Sequence, residues 1–244
     1  WLEIDRYAVA LAARLQQDVL ADYEKYEFHP AMARLQTFCS EDLGGFYLDI
    51  LKDRLYTSGT DSRARRSAQN ALWHIVQGLL RLMAPVLSFT AEEAWRIFQP
   101  SDETIFVHTY YKYPDVGLDE TVLNAWWDVR NLREIVSKRL EDQREQKKIG
   151  SSLAAEIDIH ASGAPYESLA RLGDELKFVF ITSRATLHRA EGAPVTVTVT
   201  PSAHAKCARC WHYRSDVGAR PDHPGICGRC VANLHGDGEP REHA

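Results

Sequence analysis

The residues most able to do chemistry lie near one end of the sequence. Of five cysteines in 244 residues, four fall in two pairs: Cys207 and Cys210 in KCARCWHY, and Cys227 and Cys230 in ICGRC. Together they read C-x2-C-x16-C-x2-C, within the spacing expected of zinc ribbons. Two intervening residues let a tight turn aim both sulfurs at one ion, with Zn–S bonds of about 2.3 Å. Ala208 and Gly228 keep one position of each turn small, and Arg209 and Arg229 occupy the other. A full set of four thiolates leaves no open coordination position, so the expected metal is structural rather than hydrolytic. Two disulfides or a redox CxxC are the competing readings. No secretory layout or thioredoxin-like βαβ precedes the pairs, so the spacing favours a single zinc ion. His204, His212, His223 and His235 are not needed as ligands. Cys39, alone on an apolar helical stripe, is expected to be a small core residue.

Bulk composition sets the frame for this site. Hydrophobic content is 45% and charged content 26%, ordinary for a soluble globular protein. The formal charge of -5 gives no global basic field, so any polyanion must be met by local patches. No run of about eighteen apolar residues exists to span a membrane. The sequence opens WLEIDRYAV, without an initiator Met or a signal-peptide layout, and reads as the tail of a longer cytoplasmic protein.

The elements that must position the cysteines follow from periodicity. Ile4, Tyr7, Ala8, Leu11, Leu15, Val19 and Tyr23 recur at three- and four-residue steps, which predicts a helix over residues 2–27. Pro30 suits the first turn of a second helix, and Gly44-Gly45 is expected to loosen the chain before FYLDILKDRLY. RARRSAQNALWHIVQGLLRLMA predicts another amphipathic helix, with Arg63, Arg65 and Arg66 at its start. Thr90 and Glu93 suggest a capping box for the next. A long helix is expected from about Asp119 to Lys148. Trp73, Trp95, Trp126 and Trp127 lie on helical stripes and read as core. After Gly150 the period changes to two: AAEIDIHA and PVTVTVT predict strands, and PYESLARLGDELKFVFI predicts a helix running into a third. From His204 onward no periodicity remains, so this segment needs a staple. The fold class is mainly α: a helical bundle over 1–150, a small α/β unit over 151–203 and a four-cysteine zinc module over 204–244.

These residues resemble a known family. KCARCWHY…ICGRCVANLHGDGE is similar to the C-terminal zinc module of bacterial isoleucyl-tRNA synthetases, which are class I aminoacyl-tRNA synthetases. FYLDILKDRLY, DSRARRSAQNALWHI and LMAPVLSFTAEEAW resemble the helical anticodon-binding region of such synthetases for aliphatic amino acids. KKIGSSL, from Lys147 to Leu153, resembles that region's exit into a junction domain. The similarity runs in order over the whole chain, with two departures, Ala154 for a common Glu and Ala208 for a common Pro or Glu. It implies a tRNA-recognition part of isoleucine–tRNA ligase, monomeric, binding the anticodon stem-loop of tRNA-Ile. ATP would be used by the full-length enzyme but not bound here, because neither a HIGH-like nor a KMSKS-like motif is present. No catalytic residue is therefore expected, and catalysis and editing would lie in upstream domains of the same polypeptide.

Single-stranded loop bases are read by stacking on aromatics and by hydrogen bonds to their edges. Trp211, directly after a ligand cysteine, is the expected stacking platform, the other reading being core. His212, Arg209 and Arg229 are candidate contacts, and Tyr213 is expected to be structural. Lys147, Lys148 and Ser151 are candidate phosphate contacts. Two other classes compete: the tail of a DNA-repair glycosylase, whose zinc finger has similar spacing, and a zinc-ribbon adaptor. The helical motifs argue against both.

Overall fold

The computed structural model describes residues 1–101, 103–192 and 194–244. The first apolar stripe becomes helix α1 (Glu3–Glu24), which buries Ile4, Tyr7, Ala8, Leu15 and Val19. Helix α2 (Phe28–Thr37) follows, then a π-helical segment (Phe38–Leu48) running directly into α3 (Asp49–Thr57). The expected loosening at Gly44-Gly45 is absent. A Cβ at Gly44 would lie 3.1 Å from the carbonyl oxygen of Cys39 and one at Gly45 3.4 Å from that of Ser40. The glycines thus accommodate the wide turn instead of breaking it. Cys39 is exposed on this segment, because the altered register rotates it off the apolar stripe that α2 begins.

Helices α4 (Arg63–Met83) and α5 (Ser88–Phe98) come next, and no side chain caps the start of α5. Thr90 already lies inside the helix, so the capping box does not form. The carboxylate of Glu92 instead accepts from Thr104 Oγ1 at 2.9 Å and the Ile105 N–H at 3.0 Å. The chain divides into two compact units, the first comprising Trp1, Glu3–Asp49 and Ser67–Leu118. Its core includes Leu80, Ala84, Ala91, Trp95 and Ile105. Asp5 is buried there, accepting from Tyr47 at 2.7 Å and from Ser67. Trp95 is core as expected, whereas Trp73 is exposed.

The second unit comprises Leu2, Ile50–Arg66 and Asp119–Ala244. Helix α6 (Glu120–Glu145) is capped by the Asp119 carboxylate, which accepts from the Val122 N–H at 2.9 Å. It buries Trp126, Val129, Leu132, Val136 and Leu140, while Trp127 faces solvent one residue off the stripe. Helix α6 ends in a Schellman motif: the Lys147 N–H donates to Arg144 O at 2.9 Å and the Lys148 N–H to Gln143 O at 3.0 Å. Lys147 takes the left-handed position, with φ +56°.

A three-stranded sheet follows, in the order β2-β1-β3. Strand β1 (Ala155–Ala161) pairs parallel with β2 (Arg184–Arg189) and antiparallel with β3 (Thr196–Pro201). Ala155, Ile157, Ile159 and Ala161 point inward in strict alternation. Helices α7 (Gly163–Ala170) and α8 (Leu176–Val179) connect β1 to β2. The expected strand at KFVFI is helical instead: Phe178, Val179 and Phe180 are all buried, and a short, fully buried apolar run does not distinguish strand from helix. The strand begins after Ile181 turns the chain at φ +55°. The final segment holds a hairpin of β4 (Ala205–Lys206) and β5 (Tyr213–Arg214) and helix α9 (Gly228–His235), none of them expected from the sequence. Among the described residues no helix is long and apolar enough to cross a membrane.

Candidate metal centre

The four cysteines come together as their spacing requires. Cys207 leaves β4, and a tight turn returns the chain: the Trp211 N–H donates to Cys207 O at 3.0 Å and the Cys207 N–H to His212 O at 2.9 Å. Cys227 sits at the N-terminal boundary of α9 and Cys230 in its first turn, where peptide dipoles favour a thiolate. The Cys227 N–H points at Cys207 Sγ, 3.3 Å away. Gly228 lies close to Asp216: a Cβ there would meet Asp216 Oδ2 at 2.9 Å, and the Gly228 N–H donates to that oxygen at 3.1 Å.

All four sulfurs are buried and lie within 4.8 Å of one another. Cys207–Cys230 and Cys210–Cys227 are each 3.7 Å apart. A tetrahedron with bonds of about 2.3 Å has edges of about 3.8 Å, whereas a disulfide needs about 2.05 Å. The set therefore fits one zinc ion. Crowding splits the thiols: hydrogen bonds from Cys210 and Cys230 hold Cys227 well below the usual thiol range, and the contact with Cys227 pushes Cys210 far above it. A divalent cation removes that conflict by accepting all four as thiolates. Zinc, when bound, supplies bonds that help fold a segment in which, among the described residues, Val217 and Ile226 pack on the cysteines.

The surrounding side chains divide sharply. Trp211 is 60% exposed, its backbone is left-handed at φ +65°, and the Lys206 ammonium lies 5.2 Å from its ring centroid. His212, expected as a contact, is only 3% exposed. It meets Phe178 edge-on, and burial pushes its pKa down. Arg229 is likewise turned inward, with 6% of its side chain exposed. Its guanidinium bridges Asp53 at 2.5 Å, Glu239 at 2.6 Å and Thr57 Oγ1 at 2.7 Å. Both residues are therefore corrected to internal roles, because both side chains are buried inside the protein.

Arg209 is half-buried, donating to Thr57 O at 2.6 Å and Tyr56 O at 3.4 Å and lying 3.8 Å from Cys230 Sγ. Tyr213 is half-buried, its N–H donating to Ser183 Oγ at 2.6 Å. Lys147, Lys148 and Ser151 are all exposed, clustered at the end of α6.

Sequence reasoning missed a buried charge cluster beside the metal. Asp53 lies between Arg229 and Arg241, the latter 2.6 Å away and itself 3.1 Å from Glu239. Burial alone would raise both carboxyls, but Arg229 and Arg241 together hold Asp53 and Glu239 below the usual carboxylate range. The Arg241 guanidinium also lies 3.2 Å from the Phe178 ring centroid. Asp53 is 176 positions from one partner and 188 from the other, so no local pattern could have paired them.

Residues 5–159 match the family described as anticodon-binding domain of tRNA ligase. The chain belongs to this family. Residues 206–233 of the anticodon-binding chain match a second family, described as a zinc finger found in FPG and IleRS. An isoleucine–tRNA ligase of Burkholderia multivorans is 62% identical over 245 residues, covering 100% of this chain and 26% of the relative. Isoleucine–tRNA ligase 1 of Burkholderia mallei and that of Burkholderia pseudomallei are each 60% identical with the same coverage. The chain thus spans about a quarter of the length of the curated relatives it matches.

Proposed function

We propose that this chain is the tRNA-recognition part of an isoleucine–tRNA ligase. It binds the anticodon stem-loop of tRNA-Ile while ATP-dependent activation, transfer and editing are carried out by other parts of the same polypeptide, a cytoplasmic monomer. Residues 1–150 act as the helical anticodon-binding domain, 151–203 as the junction domain and 204–244 as the zinc module. The observation that carries this reading is the exposed Trp211 on a metal-fixed turn, within a chain of the anticodon-binding family. A ring held by the backbone of a ligand turn stacks without first being ordered, and base–aromatic stacking is worth about 1–3 kcal/mol per base.

Lys147, Lys148 and Ser151 contact phosphate at the end of α6, and Arg209 supports the turn from behind. The zinc finger alone does not separate a synthetase from a glycosylase, since its family includes FPG as well as IleRS. The helical match over 5–159 favours the synthetase and speaks against an adaptor.

Cys227→Ser in the full-length enzyme tests the division of labour. It is expected to release zinc and to weaken charging of isoleucine tRNA, leaving isoleucine-dependent ATP–pyrophosphate exchange largely intact. Loss of exchange as complete as the loss of charging would overturn it.

A further inference from the structure

The Arg209 guanidinium ties the backbone that carries one exposed ring to the cysteine turn that carries another. Helix α3 ends at Thr57, and its last carbonyls, left without intrahelical partners, form the negative end of the helix. Arg209 lies between the two ligand cysteines of the first metal turn and donates to two of those carbonyls, Thr57 O at 2.6 Å and Tyr56 O at 3.4 Å. One of its nitrogens also lies 3.8 Å from Cys230 Sγ. The residue that carries Tyr56 is therefore joined through one side chain to the turn that carries Trp211.

The attachment of α3 is reinforced from below. Arg229, one residue from Cys230, reaches Asp53 and Thr57 Oγ1, and Thr57 Oγ1 donates to Asp53 O at 2.7 Å. The chain just beyond α3 is close-packed as well: a Cβ at Gly59 would lie 3.3 Å from Asn233 O, on α9. Yet Tyr56 is 76% exposed, more than Trp211. An exposed ring on a backbone pinned by buried charges is cheap to use as a contact, because little is ordered on binding. Lys206, with its ammonium 5.2 Å from the Trp211 ring centroid, adds a cation beside that ring.

We propose that Tyr56 is a second stacking platform, set beside Trp211 by the Arg209 clamp, and that the two rings take two unstacked bases of a single-stranded RNA loop. Arg209 is a positioning residue in this arrangement: its donors are spent on α3 carbonyls, and its effect on RNA runs through the two rings. The proposal rests on the reading of the chain as an anticodon binder and adds to it a residue and a spacing device.

The test is a fluorescence titration of the 244-residue chain with an anticodon hairpin of isoleucine tRNA carrying 2-aminopurine in its loop. Tyr56→Ala is expected to weaken binding about tenfold and to remove part of the 2-aminopurine quenching, while Tyr56→Phe stays within about twofold of the parent. Arg209→Lys keeps the charge but loses the fork, so it should weaken binding and make a further Tyr56→Ala change cost less than it does alone. Zinc content of one equivalent in every variant separates these effects from loss of the module. Unchanged affinity and quenching in Tyr56→Ala, with Trp211→Ala still weakened, would overturn this inference and leave the functional reading standing. A parent chain that binds the hairpin no better than a duplex of equal length would overturn both.

Discussion

At the scale of single residues, the metal site separates exposed groups from buried ones that looked equivalent in sequence. Arg209 and Arg229 occupy matching positions in the two CxxC turns. Only the fold assigns Arg209 to the end of α3 and Arg229 to a buried pair of carboxylates. Replacing Asp53 with Asn would leave Arg229 and Arg241 buried with Glu239 alone. Breaking a buried pair in this way costs about 3–5 kcal/mol, to be read as a lowered midpoint in denaturant. The same carboxyls set a pH dependence. Asp53 and Glu239 titrate lower in the folded chain than in the unfolded one. Their stabilisation is therefore complete above the ordinary carboxylate values of about 4 and is lost as pH falls through the lower folded values. Acid unfolding monitored below about pH 4 should be shallower in Asp53→Asn than in the parent.

At the scale of elements, helices α1, α4 and α6 were legible because each has a long apolar stripe. Helix α6 begins where Asp119 caps it, one residue from expectation. What was not legible has physical causes. KFVFI is buried on all sides, so its composition carries no period. Strand β2 (RATLHR) offers only Ala185 and Leu187 as apolar residues, and its four inner positions are all half-buried, so its signal is weak. Gly44-Gly45 read as a break because a long π-helical turn is rare. Residues forced into left-handed backbone were equally silent: among the described residues the non-glycine cases are Tyr26, Lys147, Ile181 and Trp211. Two of these four are proposed RNA contacts, and such strain persists where the site requires it. Lys147→Gly should relieve it, stabilising the end of α6 by about 0.5–1 kcal/mol in a thermal melt. The same variant should bind the hairpin less tightly, with a shallower dependence on salt. Unchanged binding would remove Lys147 from the interface.

At the scale of the whole molecule, the zinc, the buried charges and the end of α3 form one connected support within the second unit. The ligand set could be read directly from C-x2-C-x16-C-x2-C, since metal spacing is local. The support could not, because Asp53 and Thr57 meet the zinc module across more than half the sequence. A net charge of -5 leaves recognition to what this support presents, chiefly an indole on a metal-fixed turn. The most direct measurement is the affinity of Trp211→Ala for the isoleucine anticodon hairpin, with zinc content determined on the same sample. The account predicts one bound zinc and a loss of about tenfold or more in affinity, in line with one stacked base. One bound zinc with unchanged affinity would contradict it.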